Sequence, residues 1–172
     1  NGAGITPILL ASTVDFWRAE LALEVNNDPG TDSQLLENAM AKHITYVQGF
    51  TSRSSADFDE STVPTDTEVS DYITEVIDEF DTANAEKQLN IIGEQFFISL
   101  IGNGTDAYNF YRRTGAPTDI QPSVEPSPGP LPRTLWYPAT EVTANPNVSQ
   151  KDDLTVKVFW DNNPSTGFPV NN

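Results

Sequence analysis

The chain has 172 residues and a mass of 18.9 kDa, enough for one ordinary domain that hides about two-thirds of the surface its unfolded form would expose. It contains no cysteine, which excludes disulfides, thiolate zinc sites and a cysteine nucleophile. Its 25 acidic and 9 basic side chains give a formal charge of -16, which repels a phosphate backbone and argues against nucleic-acid binding.

In chain order, Leu10, Val14, Trp17 and Leu21 recur at helical spacing, so a first helix is predicted over Thr6 to Val25 with these four on one face. Pro7 suits its first turn, where no N–H partner is needed. Asn26 to Gly30 is turn chemistry. A second helix follows from Ser33 to Phe50 with Leu36, Met40 and Val47 along one side, making residues 1–50 a helix hairpin. Residues 51–64 are polar and aperiodic and read as a surface loop.

Residues 65–115 are again predicted helical. Thr65 and Glu68 have capping-box spacing, and Val69, Tyr72, Ile73, Val76, Ile77 and Phe80 then fit the helical template without a miss. A fourth helix, Asn84 to Ile101, carries Leu89, Ile92, Phe96 and Leu100 inward and stops at Gly102-Asn103-Gly104, where glycine takes a left-handed cap. A short fifth helix runs from Thr105 to Arg113 and ends at Gly115.

Residues 116–172 change character. Pro117, Pro122, Pro126, Pro128, Pro130 and Pro132 crowd together, and proline at that density removes backbone donors, so an extended stiff loop is expected. Leu154, Val156, Val158 and Trp160 alternate with Thr155, Lys157 and Phe159, the signal of a short strand or an extended arm laid on helices. The tail from Asn162 onward is expected to be loose. The fold class is all-α, antiparallel helix pairs followed by a long proline-rich irregular segment with little or no strand.

Chemistry is hard to find. The single histidine, His43, sits mid-helix beside Met40 and Val47 and has no second imidazole with which to share a metal, so it reads as structural. No G-x-S-x-G turn is present. Paired carboxylates for glycoside hydrolysis need a cleft and one raised pKa, and nothing singles out a pair. The acids of Asp57 to Asp81 read as a solvated surface; metal capture by Asp57, Asp59 and Glu60 lacks the spacing and glycine of a calcium loop. No catalytic, metal or cofactor site is assigned. Arg112 and Arg113 complement the negative pole of the fifth helix, and either could anchor a carboxylate inside the fold. The remaining candidates are rings: Trp136, Tyr137 and Trp160 stand in non-helical segments, free to stack on a flat partner such as a sugar face or to plug the loop onto the helices. Trp136 and Tyr137 are the ligand-binding candidates.

No apolar run reaches the roughly 18 to 20 residues that would cross a bilayer. The chain begins Asn1-Gly2-Ala3-Gly4, with neither a signal peptide nor a lipid-bearing cysteine, and reads as a piece of something longer.

From Glu94 to Trp160 these words stand in a particular order: Gly102-Asn103-Gly104, then Ala107, Tyr108, Asn109, Tyr111, Arg112, Arg113, Thr114 and Gly115. A proline-rich loop leads into Pro132, Arg133, Tyr137 and Pro138, then Glu141 and Asn145-Pro146-Asn147, and the series closes on Trp160-Asp161. This resembles the C-terminal region of the SusD/RagB-like nutrient-binding outer-membrane lipoproteins of Bacteroidetes. Ser12 to Leu23, with Ala19, Glu20 and Leu23, is similar to a helix of the same family.

The resemblance implies a C-terminal portion, residues 1–172, of an all-helical fold built on tetratricopeptide-like helix pairs. It implies a surface-exposed lipoprotein of the outer membrane, its anchor cysteine outside this chain, acting with a TonB-dependent, SusC-like transporter and with the missing N-terminal part of the same protein. The expected activity is non-catalytic binding of oligosaccharide or polysaccharide fragments, or of peptides as in RagB-like members. The alternatives are a helical-repeat scaffold or docking module without its own ligand site and, third, an enzyme. The matched residues belong to the family's structural signature rather than to its sugar contacts.

Overall fold

The computed structural model describes residues 8–165 apart from 27, 29, 51–58, 122 and 128. Six α-helices and no strand are found among the described residues, so the protein is all-α. In order they are α1 (Ala11–Leu21), α2 (Thr31–Gln48), α3 (Asp66–Thr82), α4 (Ala85–Ser99), α5 (Gly104–Thr114) and α6 (Ala139–Ala144). The chain divides into two compact units, Asn1–Ala107 and Tyr108–Asn172.

In the first unit, α1 packs on α2 and α4, and α3 packs on α2 and α4. The Asp28 N–H donates to Ala22 O at the turn, while Asp15 meets Lys42 well away from it, so α1 doubles back on α2 as a hairpin. Phe16, Leu36, Phe80, Ile91, Ile92 and Phe96 are the fully buried core, with the Phe16 and Phe96 rings stacked 5.0 Å apart. Burial of such side chains contributes about 1.5 to 3 kcal/mol each relative to leaving them exposed, which makes this cluster the main support of the helical unit.

The helix starts and stops follow their local chemistry. Thr65 accepts from the Glu68 N–H while the Glu68 carboxylate accepts from the Thr65 N–H, the reciprocal capping box predicted for α3. Asn84 caps α4 by accepting from the Lys87 N–H at 2.9 Å. Gly102 has φ +91, the left-handed conformation that ends α4, and Asn103 then opens α5 by pairing with Asp106. Gly115, φ +76, ends α5 as expected.

Three expectations change. The first concerns the face of α1. Val14, Trp17 and Leu21 are 40 %, 41 % and 50 % exposed, whereas Ser12, Thr13, Asp15, Phe16, Ala19 and Glu20 are buried. The apolar stripe and the packed face lie about half a turn apart on the helix. Hydropathy picks out the longer side chains, but close packing against α2 and α4 uses small residues, one ring and the buried Asp15 carboxylate, which accepts from Arg18 and Lys42. Val47 of α2 is likewise exposed, while Leu36 and Met40 are buried as predicted.

The second concerns boundaries. A π-helical turn, Ala22–Asn26, replaces the predicted end of the first helix, and a 3-10 turn, Glu60–Thr62, interrupts the loop of residues 51–64. The predicted start at Thr6 and Pro7, and residues 51–58 of that loop, lie outside the described residues.

The third concerns the C-terminal stretch. The alternation from Leu154 to Trp160 forms no strand, and Val156 and Phe159 are exposed. Asn163, predicted to be in a loose tail, is buried: its side-chain amide donates to Arg112 O at 2.5 Å, and its N–H donates to Asp161 Oδ1 at 3.1 Å. Residues 166–172 of that tail lie outside the described residues.

Candidate ligand-binding site

The second unit solves a problem that its composition creates. Proline contributes a carbonyl acceptor but no N–H donor, so a proline-rich segment has more acceptors than its own backbone can satisfy. Guanidinium groups, with five donors and no acceptor, are the natural complement. Two of them serve the segment.

Arg133 is buried and donates through Nε and Nη2 to the two carboxylate oxygens of Asp161 at 2.7 and 2.6 Å, through Nη1 to Pro164 O at 2.5 Å and through Nη2 to Asn163 O at 3.1 Å. Arg112, also buried, donates to Arg133 O at 2.6 Å and to Asn109 Oδ1 at 2.8 Å. Its guanidinium carbon lies 3.9 Å from the Tyr108 ring centroid and 4.7 Å from that of Trp160. The Tyr108 hydroxyl donates to Pro132 O at 2.5 Å.

Burial pushes the Asp161 carboxyl up, but the hydrogen bonds from Arg133 and the Asn163 N–H and the Arg133 charge outweigh it, and the group sits below its ordinary 3.8. The strap is therefore fastened by fork-shaped cations rather than chiefly by rings. A buried carboxylate anchor is Arg133 on Asp161, which the sequence did not single out, while Arg113 lies on the exposed side of α5 with its guanidinium 5.4 Å from the Phe110 centroid.

On this pinned base, residues 134–137 are gripped by residues 150–154. Leu154 O accepts from the Arg133 and Thr134 N–H groups at 2.7 and 3.2 Å. The Gln150 side chain mimics a neighbouring strand: its Oε1 accepts from the Tyr137 N–H and its Nε2 donates to Tyr137 O, both at 3.0 Å. The Lys151 ammonium donates to Thr134 Oγ1 and, at 2.8 Å, to Leu135 O, and lies 4.7 Å from the Tyr137 ring centroid.

With their backbone held in this way, Trp136 and Tyr137 remain 49 % and 43 % exposed, beside the exposed Leu135. These two sequence neighbours thus stand half-exposed on a held stretch of backbone. Trp160, the third ring, is half-buried against Arg112 and belongs to the scaffold. Gln150 and Lys151 were missed from sequence. Gln150 offers no sequence signal, since a polar residue in a loop gives no hint that its amide will pair with a backbone 13 residues away.

The other groups of interest stand apart from the rings. His43 is half-buried, its Nδ1 has no hydrogen-bond partner among the described residues, and burial holds its pKa below 6.5. Asp59 is taken by the Ser61 hydroxyl and N–H at 2.6 and 3.0 Å; Asp57 and the Glu60 side chain lie outside the described residues. Among the described residues no group of three His, Asp or Glu could hold a metal ion, and no helix is long and apolar enough to cross a membrane.

Searches of curated proteins and of solved structures returned no significant match. Residues 5–161, in contrast, match the SusD-like family, described as Susd and RagB outer membrane lipoprotein. That span holds both the α1 to α4 helices and the Arg133–Asp161 closure of the strap. The chain belongs to the SusD-like family of outer membrane lipoproteins.

Proposed function

We propose that the chain is the C-terminal portion of a SusD-like lipoprotein that binds oligosaccharide without cleaving it, and that Trp136 and Tyr137 form its stacking platform. The protein acts on the outer membrane with a TonB-dependent, SusC-like transporter, and the N-terminal remainder of the same protein supplies further ligand contacts. Membership of a nutrient-binding lipoprotein family supports the class of activity. One observation carries the platform: two adjacent half-exposed rings stand on a backbone held by the Gln150 amide and the Lys151 ammonium.

Large rings normally leave water on folding, and a ring held out at the surface by its backbone loses little entropy when it stacks on a ligand. A sugar presents a flat face of C–H groups that suits such a ring. Calorimetry of the complete protein against a panel of glycans and peptides tests this reading. Trp136→Ala is expected to weaken glycan binding about tenfold, the scale of one aromatic stacking contact. Failure to bind any glycan would exclude the reading.

The exposed apolar stripe of Val14, Trp17 and Leu21 on α1 favours a second reading, a helical scaffold whose task is to dock against other protein. Unchanged ligand affinity together with lost stability in Trp136→Ala and Tyr137→Ala would select that scaffold role. Peptide binding, as expected for RagB-like members, is decided by the peptide arm of the same panel.

A further inference from the structure

We infer that the Trp136–Tyr137 platform selects an anionic sugar, one bearing a carboxylate or a sulfate ester, and that Lys151 is the residue that reads the charge. This rests on the platform proposed above and adds the ligand's chemical class.

An ammonium has three donors and no acceptor. Lys151 spends two of them on neutral oxygens, Thr134 Oγ1 and Leu135 O, and rests against the Tyr137 ring. No carboxylate among the described residues forms an ion pair with it, although the chain carries 25 acidic side chains against 9 basic ones.

Among the other cations, Arg18 and Lys42 both go to Asp15, Lys87 to Glu79 and Arg133 to Asp161, whereas Arg112 and the exposed Lys157, like Lys151, donate to neutral oxygens. Lys151 is the one of these three that lies against the candidate ring Tyr137. Asp153, close to Lys151 in sequence, is turned to Thr155 instead, accepting from its N–H at 2.7 Å and from its hydroxyl at 2.5 Å. Lys151 therefore holds its ammonium in a fixed position against the half-exposed Tyr137 ring, with no carboxylate among the described residues as partner.

A cation fixed against a ring and two neutral oxygens is partly desolvated and pre-oriented, so an incoming anion gains a charge-assisted hydrogen bond without the cost of ordering the lysine. A neutral sugar stacking on Trp136 would leave the ammonium to water. An anionic sugar satisfies it.

The test is calorimetry on the complete protein with three probes of similar length: oligogalacturonate, a sulfated galactan oligomer and a neutral galactan oligomer. Wild type is expected to bind one of the anionic probes at least about tenfold more tightly than the neutral one, the scale of one charge-assisted hydrogen bond. The better anionic probe identifies carboxylate or sulfate. That preference is expected to shrink as sodium chloride rises from about 0.05 M to about 0.5 M, a readout that needs no variant. Lys151→Gln is expected to abolish the preference, and Lys151→Arg to keep it.

Equal affinity for neutral and anionic probes, insensitive to salt and to Lys151→Gln but weakened by Trp136→Ala, would overturn the charge-reading role and leave the platform standing. Binding of none of the probes, or binding untouched by Trp136→Ala and Tyr137→Ala, would overturn both.

Discussion

The two units of this chain are stabilised by opposite means. In Asn1–Ala107 the buried side chains are mainly rings and aliphatic groups on helices whose backbones satisfy their own hydrogen bonds. In Tyr108–Asn172 the buried set includes Arg112, Arg133, Thr134, Asp161 and Asn163, because a backbone poor in N–H donors must be satisfied by side chains. A helical unit can therefore tolerate a loose outer surface. A proline-rich strap holds one shape only if its few cations are in place, and that same rigidity lets it present two rings to solvent.

The largest expected effect lies in the helical core. Phe96→Ala removes a fully buried ring stacked on Phe16 and should cost about 4 kcal/mol, read by urea unfolding of the far-ultraviolet helix signal. Arg133→Met should come next, at about 3 kcal/mol, because it leaves the Asp161 carboxylate buried without its partner. Amide exchange should then show lost protection around residues 133, 134, 161 and 163, while α1 to α4 keep theirs. Equal loss in both units would mean that the strap and the helices do not rely on separate supports.

Acid should separate the units by a different route. The folded pKa of Asp161 lies below 3.8, so its contribution is complete above that value and disappears only as the pH falls through the lower folded one. The folded pKa of His43 lies below 6.5, so the unfolded chain takes up a proton first and the helical unit loses stability as the pH falls from that value. Exchange followed from pH 7 to pH 3 should thus show the α2 region weakening before the strap does. His43→Gln should remove the earlier phase.

The smallest effect tests the face of α1. Leu21→Gln, on the exposed stripe, should change stability by no more than about 0.5 kcal/mol in this chain. A cost comparable to that of Phe96→Ala would mean that the stripe is packed after all.

Much of the helical unit was legible in the residues themselves. The capping box of Thr65 and Glu68, most of the inward faces of α3 and α4 and the glycine stops at Gly102 and Gly115 all follow from chemistry local to a few residues, although Tyr72, predicted on the inner face of α3, is exposed and donates its hydroxyl to Gln95. The face of α1 was not legible, because Val14, Trp17 and Leu21 form a better apolar stripe than the one that packs. Choosing between two faces requires knowing which neighbour arrives. The rings of the candidate site were visible as Trp136 and Tyr137, but their clamp was not, since Gln150 and Lys151 act through the backbone of a segment far off in sequence.

By itself, then, the sequence determined α1 to α5, the capping box and glycine stops at their ends and the ordered motifs that mark the family, because propensity, capping and proline chemistry act within a few residues. It did not determine α6, which lies in the stretch read as irregular, nor the π-helical turn after α1. Only the tertiary structure decided which face of α1 is covered, that Arg133 rather than Arg112 meets the carboxylate of Asp161, and that Lys151 donates to neutral oxygens against the Tyr137 ring. Each of those outcomes depends on groups far apart in the chain, as Phe16 on Phe96, Lys151 on Leu135 and Asp161 on Arg133 show, and no local pattern encodes such a meeting.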